Sequence, residues 1–261
     1  MKVLLLALDG LDLDTVKRLN CIQLLQNQYC LMDVPIDKVL KVPSSPTVWA
    51  SFLAGKLVER HFGSKKLRLL SKIRSHIPLS LGIAKRMTKS PVSFAGKLEC
   101  ETLFDKIENS KAINVPYINN DGEHLKIPFM LSHEEVSLDE VIDAALDLLA
   151  KQSLAIEKDI QSSMENDFVF AFLGFPDILE HLCFSSRMGI VRNMYFSLNS
   201  MVQNIRGVVG NECHFFIMSD HGFNFEKGTH SLQGFFSSNK QLPSCPSSIY
   251  ELHDLIVELS T

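Results

Sequence analysis

The sequence predicts an α/β protein, a three-layer αβα arrangement around a mainly parallel sheet with a small inserted cap, and three observations predict it. Continuous apolar runs such as Val3–Leu8 and Phe168–Leu173 read as strands covered on both faces, not as the alternating strands of a half-exposed sheet. These runs alternate with stretches at helical spacing, the rhythm that βαβ units impose on a parallel sheet. One segment breaks the rhythm: Lys56 to Ser90 carries ten Lys or Arg against a single acid, Glu59, in a chain with 26 basic and 30 acidic residues.

Val3–Leu8 ends at Asp9-Gly10. It is too short for a signal peptide, lacks a small-residue cleavage site after it, and no other apolar stretch is long enough for a bilayer, so a cytoplasmic location is expected. Leu13, Val16, Leu19 and Ile22 through Leu25 predict a helix with Asp12 or Asp14 as cap, and 31–34 a second short strand. The next helix is punctuated at both ends. Pro46 suits the first helical position, Ser45 the cap and Gly55 the C-terminus, which leaves Thr47 in the first turn. Free N–H groups and the helix dipole favour an anion or a developing alkoxide there.

Residues 56–97 read as an insertion or cap, and a solvated basic face that only packs on the core is the competing reading. Beyond it come a helix over 101–109, a strand over 112–115 stopped by Pro116, and a loop-like stretch from Tyr117 to Glu135. Ser137-Leu138-Asp139-Glu140 is a capping-box pattern for a long helix toward Ser163. Phe168–Leu173 is a strand, followed by a helix over 191–205, a strand over 215–218 and a closing helix over 249–259. The six cysteines show no C-x-x-C spacing, and reduced thiols are expected.

In an open parallel sheet, ligands bind beyond the carboxyl ends of the strands. Asp9 follows the first strand, Asp177-x-x-x-His181 the 168–173 strand, and Asp220-His221 the 215–218 strand, with His230 a little beyond. Carboxylates and imidazoles without thiolates suit zinc or another divalent transition metal. Six ligands exceed what one catalytic zinc needs, so two ions are implied, and paired ions about 4 Å apart serve phosphoryl transfer. Thr47 then gains a role as a hydroxyl that a metal activates.

Asp9-Gly10, the Pro-Thr-Val-Trp-Ala-Ser-Phe-Leu-Ala-Gly helix, Asp177-x-x-x-His181, Ser-Asp220-His221-Gly and Gly-Thr-His230 follow the order of the alkaline phosphatase superfamily. Within it the chain most resembles the type I phosphodiesterase and nucleotide pyrophosphatase branch. The resemblance runs nearly end to end and implies a single alkaline-phosphatase-like catalytic domain over 1–261. It implies one divalent ion, zinc before manganese, on Asp9, Thr47, Asp220 and His221, and another on Asp177, His181 and His230. Thr47 would form a phosphothreonine that a metal-activated water hydrolyses, with the Val48 N–H holding a phosphoryl oxygen. Relatives often place an Asn shortly beyond the nucleophile. None occurs here, and His61, Lys65 or Lys66 are the substitutes on offer.

The resemblance therefore implies a hydrolase of phosphodiester or pyrophosphate bonds in a small, nucleotide-type substrate, with no specific nucleic-acid partner. A phosphomonoesterase or phosphomutase ranks lower, because mutases of this group usually carry Ser as nucleophile. A sulfatase ranks lower still, since no Pro-x-Arg follows the nucleophile. From another class, the basic 56–90 segment could bind nucleotides or an anionic membrane surface without turnover, a reading not favoured while the full ligand set is present.

Overall fold

The computed structural model describes residues 1–60, 97–131 and 136–261. A six-stranded sheet runs through the centre in the order β2-β8-β5-β1-β4-β3. Its strands are β1 (Val3–Leu8), β2 (Gln28–Asp33), β3 (Ser110–Ile113), β4 (Phe168–Leu173), β5 (His214–Ser219) and β8 (Gln233–Ser238). β1 lies parallel to both β4 and β5, and β3 is parallel to β4, whereas β8 runs antiparallel to β5 and β2. Two short strands, β6 (Phe223–Asn224) and β7 (Thr229–His230), pair separately as a ribbon.

β1 and β4 lie inside the sheet, which explains their unbroken apolar composition: every residue of both is buried. Leu4, Leu6 and Leu8 face one core and Val3, Leu5 and Ala7 the other, as a period of two requires. The first core is covered by α1 (Leu13–Arg18), α2 (Ile22–Leu25), α5 (Glu123–Met130), α6 (Leu138–Ser162), α7 (Phe175–Cys183) and α8 (Met188–Val209). The second is covered by α3 (Ser45–Ala54), α4 (Leu103–Lys106) and α9 (Ile249–Ser260). The layers are therefore αβα. No described helix is long and apolar enough to cross a membrane.

Several local expectations shift. The helix expected over 13–25 is two short ones, broken where Asn20 takes a φ of 53°. The stretch from 117 to 135, read as loop, contains α5, because Pro128 looks like a breaker yet is accommodated within the helix. β8 has no clear periodicity in Gln-Gly-Phe-Phe-Ser-Ser and is found only by its partners. Gly234 is required in it, since a Cβ there would lie 2.4 Å from the Ser219 carbonyl oxygen. Of the cap expected over 56–97, all but the first five residues and Lys97 lie outside the described residues.

α3 is buried along its whole length, as a helix apolar on every side must be. Trp49 anchors it, meeting Phe172 of β4 edge-to-face with ring centroids 5.2 Å apart. At the far end Gly55 adopts a φ of 66° and its N–H reaches the Phe52 carbonyl. His253 of α9 donates from Nδ1 to that same carbonyl at 2.7 Å, locking the helix in depth. The other end of α3 is thereby held at the carboxyl edge of the sheet.

Candidate metal centre

The ends of β1, β4, β5 and β7 and the starts of α3 and α7 converge at that edge. Asp9 follows β1, and the Asp177 N–H donates to the Asp9 carbonyl at 2.9 Å, so the start of α7 is pinned to the end of β1. Gly10 makes this approach possible: it has a φ of 81°, and a Cβ on it would sit 2.8 Å from the Asp177 Cβ. Its N–H also reaches Asp220 Oδ1 at 3.3 Å. Asp177 and His181 lie one turn apart on α7 and face the same way, with His181 Nε2 3.3 Å from Asp177 Oδ1.

The donors form two touching groups. His181 Nε2 is 3.1 Å from His230 Nε2, and His230 Nε2 is 3.5 Å from Asp177 Oδ1. His221 Nε2 lies 3.5 Å from Asp9 Oδ1 and 3.4 Å from Asp220 Oδ2. The His221 and His230 rings stack between the groups at 3.7 Å. Donors bound tetrahedrally at about 2.1 Å from a zinc ion stand about 3.4 Å from one another. These spacings therefore suit the edges of coordination shells. Asp177 Oδ1 and Asp220 Oδ2 are buried and accept no hydrogen bond among the described residues, which leaves two anionic oxygens in want of a cation.

Neighbouring carbonyls orient the imidazoles. His230 Nδ1 donates to the Pro43 carbonyl at 3.1 Å and His221 Nδ1 to the Gly222 carbonyl at 3.2 Å. A carbonyl can only accept, so Nδ1 carries the proton and each Nε2 presents its lone pair to the centre. Burial, with His221 beside it, brings His230 down to about 4, and burial likewise lowers His221, so both rings are neutral ligands near pH 7. Burial raises Asp9 well above the carboxylate range, reinforced by Asp220 and Asp177, and takes Asp220 to about 6. Burial also pushes Asp177 upward, but His181 beside it, whose imidazole Asp177 in turn raises, outweighs it and holds that carboxyl low.

The hydroxyl at this centre belongs to Ser45. Its Oγ donates to Asp9 Oδ1 at 3.3 Å and lies 3.2 Å from His221 Nε2. Thr47 points elsewhere, and its expected place in the metal set is corrected. Its Oγ1 donates to the Arg60 carbonyl and accepts from the Arg60 N–H at 3.1 Å, and it lines a cavity of about 500 Å³ with Val34, Ile36, Leu57 and Tyr250. The reason is helical geometry: α3 begins at Ser45, capped by Ser44, and residues two apart on a helix face nearly opposite ways. The expected role of Val48 is corrected as well, because its N–H donates to the Ser44 carbonyl at 3.0 Å within the first turn. His61, Lys65 and Lys66 lie outside the described residues.

Two supporting features had no sequence signal. Under α7, Tyr195 Oη donates to the fully buried Glu180 carboxyl at 2.6 Å and accepts from the Asp12 N–H at 2.9 Å. Above α3, the Arg60 guanidinium lies 5.9 Å from the centre of the Tyr117 ring, whose Oη donates to the Pro46 carbonyl at 3.0 Å. Arg60 is thus tied by backbone to Thr47 and leans toward the residue that follows Ser45.

Solved structures share this architecture. An alkaline phosphatase from the Antarctic bacterium TAB5 superposes with a TM-score of 0.55 at 9% identity, covering 99% of this chain and 97% of that one. This chain has the alkaline phosphatase fold. A putative sulfatase from Bacteroides thetaiotaomicron matches with a TM-score of 0.50 at 8% identity, over 99% of this chain and 70% of the other. A TAB5 alkaline phosphatase variant, similar at a TM-score of 0.53 and 9% identity over 99% of this chain and 97% of that one, has been solved with magnesium bound. No protein-family model and no curated protein matches the sequence. At these identities the likeness concerns the alkaline phosphatase fold itself, and the chemistry is argued from the residues.

Proposed function

We propose that the chain is a two-metal phosphohydrolase that cleaves phosphodiester or pyrophosphate bonds of small, nucleotide-type substrates, with Ser45 in the nucleophilic role. The observation that carries this reading is the Ser45 hydroxyl at the start of α3, within hydrogen-bonding distance of both Asp9 and His221. Asp9, Asp220 and His221 would hold one divalent ion and Asp177, His181 and His230 the other, zinc by first choice, with manganese accepted by the same donors. When bound, such ions supply acidification of a hydroxyl and charge stabilisation for the attacking and leaving oxygens of an in-line displacement.

Ser45 Oγ, held beside Asp9 and His221, gives up its proton to solvent and attacks phosphorus. The bond to the alcohol or phosphate leaving group breaks, leaving a phosphoserine. Water then cleaves the new ester and restores Ser45. Pro46 has no N–H, so the Ser45 N–H is the amide this helix start offers to a phosphoryl oxygen. Arg60 offers a cation above it, and His61, Lys65 and Lys66 are the further candidates in the sequence. Thr47 serves by holding the Arg60 backbone in place.

The test pairs two variants in a zinc- or manganese-loaded enzyme. Ser45→Ala should abolish turnover of bis(nitrophenyl) phosphate, by about 10³-fold or more as removal of a nucleophile does, while Thr47→Ala keeps most of it. The opposite ranking would return the role to Thr47. The serine itself favours a second reading, a phosphomonoesterase or phosphomutase, which faster turnover of nitrophenyl phosphate than of the diester would support. Salt-sensitive binding of nucleotides or anionic vesicles without hydrolysis would mark a non-catalytic module instead.

A further inference from the structure

The edge of the sheet carries a pair of thiols that has no part in the metal centre. Beyond β2, the chain segment ahead of α9 returns alongside the strand: Asp33 bridges Ser248 in parallel, and the Asp33 N–H donates to the Ser247 carbonyl at 2.8 Å. Cys30 and Cys245 each lie three residues ahead of that bridge, and the two thiols are near enough to interact. Two further observations agree with this placement. The Cys30 thiol donates to the carbonyl of Pro246, the residue after Cys245, at 3.6 Å. Both cysteines also pack on the same core face, the one under α3 and α9, and both are free and only partly buried.

We propose that Cys30 and Cys245 form a redox-sensitive site that closes to a disulfide under a low-molecular-weight disulfide such as oxidised glutathione. The Cys245 thiolate attacks one glutathione sulfur and releases the other glutathione as a thiol. Cys30 then loses its proton and attacks the Cys245 sulfur, releasing the second glutathione. Two thiols are oxidised and one glutathione disulfide is reduced to two thiols. Cys245 acts first because burial, and then the nearby Cys245 thiol, push the Cys30 thiol well above the ordinary thiol range, which leaves Cys30 a poor nucleophile toward an outside disulfide. Of the remaining cysteines, Cys21, Cys183 and Cys213 are buried, and Cys100 is partly buried but belongs to neither of the two segments joined by the bridge of Asp33 to Ser248.

The bond would join residue 30 to residue 245 and so span most of the chain. It ties the outermost strand to the cap of α9, at Ser248, which with Asp33 also walls the cavity that Thr47 faces. The proposal is independent of the phosphoryl-transfer reading, and its test uses no activity. The full-length protein is incubated with oxidised glutathione, unfolded in iodoacetamide, and mapped by peptide mass. The expected result is a Cys30–Cys245 linked peptide, two fewer alkylated thiols, and a higher melting temperature that a dithiol reductant reverses. Cys30→Ser should retain glutathione on Cys245, and Cys245→Ser should leave Cys30 unmodified. Full alkylation of both cysteines after oxidation, a mixed disulfide persisting on Cys245 of the wild type, or a link from Cys30 to any other cysteine would overturn it.

Discussion

Gly10 is the narrowest point in the construction of the metal centre, and substituting it separates two costs that usually travel together. Alanine at a φ of 81° is strained by about 1–2 kcal/mol. Its lower entropy in the unfolded chain offsets about 0.4–1 kcal/mol of that. The new Cβ would also lie 2.8 Å from the Asp177 Cβ and 2.9 Å from its Cα. Carbon atoms rest at about 3.5–4.0 Å, so the start of α7 must retreat by more than half an ångström, at an overpacking cost of about 1–3 kcal/mol. Gly122 is the control, because it has a φ of 70° with nothing within 4 Å of its would-be Cβ. Urea unfolding should show Gly10→Ala losing about 2–3 kcal/mol and Gly122→Ala about 1 kcal/mol or less. Displacing Asp177 should also weaken metal binding, measured by competition with a chromogenic chelator, and cut turnover by about 10- to 100-fold. If Gly10→Ala matches Gly122→Ala in stability and the wild type in metal affinity, the close approach of β1 to α7 does not position the ligands.

Further outcomes follow from other buried groups. Tyr195→Phe removes the donor to Glu180 and the acceptor for the Asp12 N–H, and should cost about 1–3 kcal/mol in urea unfolding. A loss below the error of the measurement would mean that water replaces the hydroxyl. His124 is buried against Phe172 and Phe175, and burial brings it down to about 4. The folded state therefore resists a proton that the unfolded chain takes up below about pH 6.5, and the His124 contribution to stability is lost as pH falls from there toward 4. By pH 5 the loss is about 2 kcal/mol, and His124→Asn should flatten that part of the curve. Adding zinc or manganese to metal-stripped protein should raise the melting temperature at pH 7, since binding to the folded state alone stabilises it by mass action. No shift with either ion would count against a metal centre at Asp9, Asp177 and Asp220.

What could be read in the sequence depended on whether the deciding interaction was local. β1 and β4 were legible because burial on both faces leaves nothing to alternate. The Ser137 capping box was equally plain, since both of its hydrogen bonds lie within four residues. Asp9, Asp177, Asp220 and His221 could be singled out because strand ends aim at one edge, a consequence of parallel topology and not of the particular side chains. β8 was hidden because an antiparallel strand slipped between β2 and β5 is specified by those two neighbours. The Cys30 and Cys245 pairing was hidden for the same reason: 215 positions separate two residues whose segments meet at a single bridge, Asp33 with Ser248.

The choice between Ser45 and Thr47 turns on less than one helical turn. Both hydroxyls fit the composition of a helix start, and Pro46 between them is compatible with the first or the second position of the helix. Two residues of phase decide which hydroxyl meets Asp9 and which turns away, because two residues advance about 200° around the axis. That phase is set from a distance. Trp49 must lie on Phe172 and Phe170 of β4, and the Phe52 carbonyl must meet His253 of α9. With those two contacts made, Ser45 faces Asp9 and His221, and Thr47 faces Arg60. Packing at the middle and far end of α3 therefore selects the hydroxyl at its start. A change that rotates the helix, such as Trp49→Leu, should lower turnover more than it lowers metal affinity, because the ligands on β1, β5 and α7 stay in place while the hydroxyl moves.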